Sequence, residues 1–94
     1  MRVRWLRVAR DNFDAEVAHV AADDPAVARL VAERIFDAVA TLVEFPARGR
    51  PGRVPGTREL IVAKTRYVVP YRVRGDRIEI LRVFHASRRS PDRW

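Results

Sequence analysis

Few side chains in this sequence could do chemistry near neutral pH, and they gather in its second half. His85 closes the run Ile80-Leu81-Arg82-Val83-Phe84-His85, and an imidazole that titrates near neutrality can give or accept a proton. Arginines recur around it. Arg50, Arg53 and Arg58 flank a Pro/Gly segment, while Arg82, Arg88 and Arg89 lie toward the other end of the same stretch. A guanidinium is always charged and grips phosphate or carboxylate through a planar fork. These six are therefore the candidates for contact with phosphate or an acidic partner. His85 has no evident acid–base partner in the sequence, so a strand-terminal histidine hydrogen-bonded to its surroundings accounts for it as well as catalysis does. Tyr67 and Tyr71 alternate with Val69 and Val73, which places both rings in the core; stacking on RNA bases would need them exposed beside Arg66 and Arg72. Glu59 beside Arg58 reads as half of a surface pair, and Glu79 as the partner of Arg82 or of a cross-strand arginine. His19 falls off the apolar face of its helix and reads as solvated, and Trp94 as a tail residue that docks or frays.

Composition narrows the classes. Ninety-four residues, 48% hydrophobic and 33% charged, make one globular domain, residues 1–94, with a core small enough for partner binding to add stability. Cysteine is absent, which excludes disulfides and thiolate metal sites. No metal-ligand spacing, phosphate-binding glycine loop or Ser-His-Asp arrangement is present, so neither metal nor cofactor is expected. There is no run of eighteen apolar residues to span a membrane. Arg2, Arg4, Arg7 and Arg10 interrupt any signal-peptide pattern, and a cytoplasmic protein is the expectation. The net charge of +7 is uneven: residues 1–47 carry six cations and eight anions, residues 48–94 thirteen and four. All the cations but Lys64 are arginine. The basic second half suggests nucleic acid or an acidic protein segment as partner.

The elements that must position these groups follow from periodicity. Arg2 to Leu6 alternate as a short half-buried strand. A helix from about Ala9 to Ala22 turns Phe13, Val17, Val20 and Ala21 to one face, with Asp11, Asp14 and Glu16 near its start, where the dipole favours negative charge. Asp24-Pro25 caps a second helix whose period runs to about Phe45. So short a connection makes an antiparallel helical hairpin. Residues 46–56 hold three prolines and three glycines and read as a loop. Runs at about 57–63, 66–73 and 77–84 then read as an antiparallel three-stranded meander. Pro70 must sit at a bulge or turn its missing N–H away from a neighbour. Strict alternation sets Ile78, Ile80, Arg82 and Phe84 on one face of the last strand, and Glu79, Leu81, Val83 and His85 on the other. The order β-α-α-β-β-β is an α+β fold with the hairpin on one face of the sheet and a basic face opposite.

Over essentially the whole length these pieces resemble the RelE/ParE superfamily of bacterial type II toxins. The resemblance is carried by Trp5, Asp24-Pro25, Phe45-Pro46 with Gly49-Arg50, Gly56-Thr57-Arg58-Glu59-Leu60, Tyr67 to Val73, and Ile80 to His85. It implies a compact growth-inhibiting toxin of a plasmid-stabilising module, neutralised by a cognate antitoxin. RelE-like members cleave mRNA in the ribosome; ParE-like members poison DNA gyrase and are not hydrolases. RNA cleavage needs groups that activate a 2′-hydroxyl and stabilise added phosphate charge. The matching sheet positions here are Glu59, Ile61 and Val68, and Trp94 stands in place of a C-terminal tyrosine. That departure brings the chain closer to the ParE-like members, as does the strand end Arg82-Val83-Phe84-His85-Ala86-Ser87. Under the mRNA endonuclease alternative, His85 is the implied acid or base.

Overall fold

The computed structural model describes residues 1–87 and 94. Strand β1 (Arg2–Trp5) leads into helices α1 (Arg7–Asp23) and α2 (Pro25–Ala40), which a 3₁₀ turn at Thr41–Val43 closes. Strands β2 (Arg50–Pro51), β3 (Arg58–Ile61), β4 (Tyr67–Arg74), β5 (Arg77–Ile80) and β6 (Phe84–His85) follow. They make one sheet in the order β1-β5-β4-β3-β2, with β6 also pairing with β4. All the pairs are antiparallel except β1 with β5, which run parallel. The α+β class and the helical hairpin are as the sequence implies.

Asp24 alone separates the two helices. Its Oδ1 accepts from the N–H groups of Ala26 (3.0 Å) and Val27 (3.2 Å), the orphan donors of a helix start. Ile35, Val39 and Leu42 of the hairpin side meet Leu60, Val62, Val69, Tyr71, Ile78 and Ile80 of the sheet in one core. Tyr71 is fully buried with its hydroxyl satisfied: it donates to Pro46 O (2.7 Å) and accepts from Gly49 N–H (2.8 Å). Gly49 is required there, because a Cβ would lie 2.6 Å from the Tyr71 ring.

Four expectations are corrected. Helix α1 starts at Arg7, so its first turn holds no acidic residue; Glu16 lies mid-helix, buried, with Tyr67 Oη donating to its Oε1 at 3.2 Å. The Pro/Gly segment contributes β2, since Arg50 and Pro51 extend far enough to pair with Glu59 and Arg58. Glu59 is buried, 2% exposed, rather than half of a surface pair. The last strand does not run unbroken from 77 to 84. Tyr71 faces Ile80 but Tyr67 faces His85, so one extra residue has entered the strand between them: a bulge. It lies opposite Pro70, whose carbonyl accepts from Leu81 N–H at 2.9 Å. The N–H that proline lacks would point to that same edge, where the ladder is already interrupted. Beyond the bulge the faces exchange. Val83 joins the helix-side core, and His85 follows it to that side.

Candidate anionic-partner interface

The face of the sheet away from the helices brings together arginines that are scattered in sequence. Register places Arg2, Arg77 and Arg74 side by side across β1, β5 and β4, and Arg4, Glu79 and Arg72 in the next such row. Adjacent strands lie about 4.8 Å apart and same-face neighbours on a strand about 7 Å. Five guanidiniums therefore surround one carboxylate. Glu79 Oε1 takes Arg72 Nε at 2.6 Å, while Arg74 Nε stands 3.8 Å away. The Arg72 hydrogen bond, aided by the charges of Arg72, Arg74 and Arg77, holds the Glu79 carboxyl below its usual 4.5 against the opposing effect of burial. Arg2 reaches Asp76 only at 4.0 Å, with both side chains more than three-quarters exposed. The Arg4 side chain makes no hydrogen bond or ion pair among the described residues. The patch therefore carries unspent positive charge, and flat arrays of guanidinium forks receive phosphates or carboxylates.

The arginines singled out from sequence behave differently. Arg50 Nη2 binds Glu59 Oε1 at 3.0 Å, and the backbone N–H of Arg53 donates to Glu59 Oε2 at 3.2 Å. Arg58 Nη1 donates to the carbonyls of Gly49 (2.8 Å) and Ala47 (3.4 Å). Arg82 donates to Leu81 O at 2.6 Å and to Trp94 O; the Trp94 ring stacks on Phe84 at 5.7 Å. Arg50, Arg58 and Arg82 thus hold their own chain together. Arg88 and Arg89 lie outside the described residues. Sequence reading missed Arg2, Arg4, Arg74 and Arg77. The available signal was the Arg-Val-Arg alternation of β1, which becomes meaningful only once β1 lies beside β5.

His85 lies on the opposite side of the sheet, under the helices. It borders a groove of about 410 Å³ shared with Glu16, His19, Arg66, Tyr67 and Ser87. Its ring meets Tyr67 edge-on at 5.4 Å. The backbone N–H of Ser87 donates to Nδ1 at 3.2 Å, and Ser87 Oγ lies 2.7 Å from the same atom. In the neutral ring the proton therefore sits on Nε2, which can donate to an oxygen. The groove and the arginine face lie on opposite sides of the sheet, so one flat ligand cannot span both.

Residues 3–90 match the family described as ParE toxin of type II toxin-antitoxin system, parDE. A Sinorhizobium fredii protein described as a candidate toxin, Y4kP, is 46% identical over 90 residues, 96% of this chain and 93% of that protein. The solved structure of the chromosomal ParDE TA system from P. aeruginosa superposes with a TM-score of 0.80 at 34% identity, over 90% of this chain and 95% of that one.

Proposed function

Because the chain belongs to the ParE toxin family of type II toxin–antitoxin systems, we propose that it arrests growth by poisoning DNA gyrase. In this reading residues 1–94 form one toxin domain acting in the cytoplasm, within a plasmid-stabilising module. A cognate antitoxin holds it inactive. The observation that carries the gyrase target is the state of three sheet positions. Glu59 is buried and bound by Arg50, Val68 is buried, and Ile61 is an exposed aliphatic. None of them can activate a ribose hydroxyl or neutralise an added phosphate charge. Inhibition then works by contact rather than hydrolysis, and Arg50, Arg58 and Arg82 serve the fold before any partner.

A second reading, ribosome-dependent mRNA cleavage, is favoured by one feature: His85 shares its groove with Glu16 and Tyr67. One induction experiment separates the two. The chain is expressed without its antitoxin while mRNA integrity and gyrase–DNA complexes are followed together. Trapped gyrase–DNA complexes with intact mRNA, unchanged in His85→Ala, are expected. Rapid mRNA cutting that His85→Ala abolishes would replace the gyrase reading with the nuclease.

A further inference from the structure

We propose that the arginine rows of β1, β5 and β4 receive the phosphate backbone of duplex DNA without reading its sequence. The choice of DNA over RNA rests on the gyrase reading above; the affinity for phosphate does not. Arg2, Arg4 and Arg77 line a pocket of about 270 Å³ together with Val3, and no described carboxylate lines it. Arg74 and Arg72 continue the two rows on β4. Two strand spacings carry the cations about 10 Å across the sheet, which is wider than one phosphate and suits successive phosphates of a chain.

Two carboxylates oppose this charge, and neither cancels it. Glu79 is 5% exposed, so it lies beneath the guanidiniums rather than among them. It holds Arg72 through Nε, which leaves the Arg72 Nη donors for a ligand. Asp76 stands 4.0 Å from Arg2, with both side chains in water, where such a pair is weak. The rows contain no apolar side chain. Protein interfaces are depleted of charge at their centre and carry aromatic or aliphatic anchors there, whereas protein–DNA interfaces are polar and strongly positive. The major groove admits a helix or a two-stranded ribbon. These arginines stand instead on the face of a broader sheet, so their contacts fall on phosphate and carry no base specificity.

The test is an anisotropy titration of the full chain, free of antitoxin, into a short labelled duplex of arbitrary sequence. It starts at low salt, where phosphate contacts are strongest. The logarithm of the affinity should fall linearly with that of the salt concentration, with a slope of about −3 to −4 for four contacts. Arg4→Ala/Arg77→Ala should weaken binding about tenfold and make the slope shallower by about 2, with melting temperatures checked for each variant. Arg10→Ala/Arg29→Ala removes the same charge from exposed positions on the helices and should cost far less. An equal loss in that variant would show that net charge alone attracts the duplex, and would overturn the proposal. So would no binding at low salt, or displacement at equal charge by an RNA hairpin or a polyglutamate peptide better than by unlabelled duplex. Gyrase assays separate the two levels. If Arg4→Ala/Arg77→Ala loses the duplex yet traps gyrase–DNA complexes as well as the wild type, this face falls and the gyrase reading stands. If the wild type binds the duplex with the stated slope but leaves gyrase and growth untouched, the face stands and that reading falls.

Discussion

Two sets of arginines divide this molecule, and the division follows neither sequence nor net charge. Arg50, Arg58 and Arg82 lie in the basic second half, yet their forks close on Glu59, Gly49, Leu81 and Trp94 of the same chain. Arg2 and Arg4 come from a half whose net charge is negative, yet they extend the charged face of β4 and β5. Arg50, Arg58 and Arg82 each find a carboxylate or backbone carbonyl within reach; Arg2 and Arg4, on the open face, have only their neighbours in the rows. The first kind stabilises the fold, and the second leaves charge for a partner.

The largest effect that probes this division is on stability in the first set. Glu59 is 2% exposed and receives both Arg50 and the Arg53 amide. Arg50→Ala leaves that buried carboxylate without its cation and should cost about 3 kcal/mol, measured by denaturant unfolding. Arg50 itself is half exposed and can turn to water, so Glu59→Ala should cost less than the loss of its partner. If Arg50→Ala unfolds no more readily than Arg2→Ala, the distinction between the two sets fails.

Tyr71→Phe probes the same loop through a neutral group. It removes the hydroxyl that joins Pro46 to Gly49 and leaves the buried Gly49 N–H and the half-buried Pro46 C=O without that partner, a loss of about 2 kcal/mol. By contrast Arg2→Ala and Arg4→Ala should change stability by no more than about 0.5 kcal/mol, because both side chains are exposed. Their cost should fall on binding, read in a titration with duplex DNA. A large stability loss in either would show that the patch is structural.

Much of this was legible in the sequence. The Asp24-Pro25 cap, the 3.6-residue period of α2 and the Val/Ile/Tyr runs at about 57–63 and 66–73 are local signals, and each produced its element. Buried Tyr67 and Tyr71 followed from alternation alone. The bulge did not, because its cause is a conflict between Pro70 and its partner strand that arises only on pairing. Alternation carried past Ile80 therefore set His85 on the wrong face. The arginine rows were hidden for a related reason: they depend on the parallel pairing of β1 with β5, strands more than seventy residues apart. Counting charge by halves obscured the two arginines that complete the patch.

Glu79 offers the finest test, since it is the lone carboxylate in the rows. The Arg72 hydrogen bond lowers its pKa below 4.5, and burial opposes that shift. A carboxyl held lower in the folded than in the unfolded chain contributes stability that is complete above the ordinary glutamate value. That contribution fades as pH falls from there through the folded value. Wild type and Glu79→Gln should therefore differ most in melting temperature above the ordinary glutamate value of 4.5 and converge as the pH falls below it. The variant also leaves Arg72 and Arg74 without their carboxylate, so added salt should recover part of its loss at neutral pH. The whole effect should be smaller than that of Arg50→Ala, because Arg72 is one-third and Arg74 more than half exposed to water. A difference that stays constant across the pH range would mean that Glu79 acts through packing rather than charge, and that the rows tolerate their own repulsion without it.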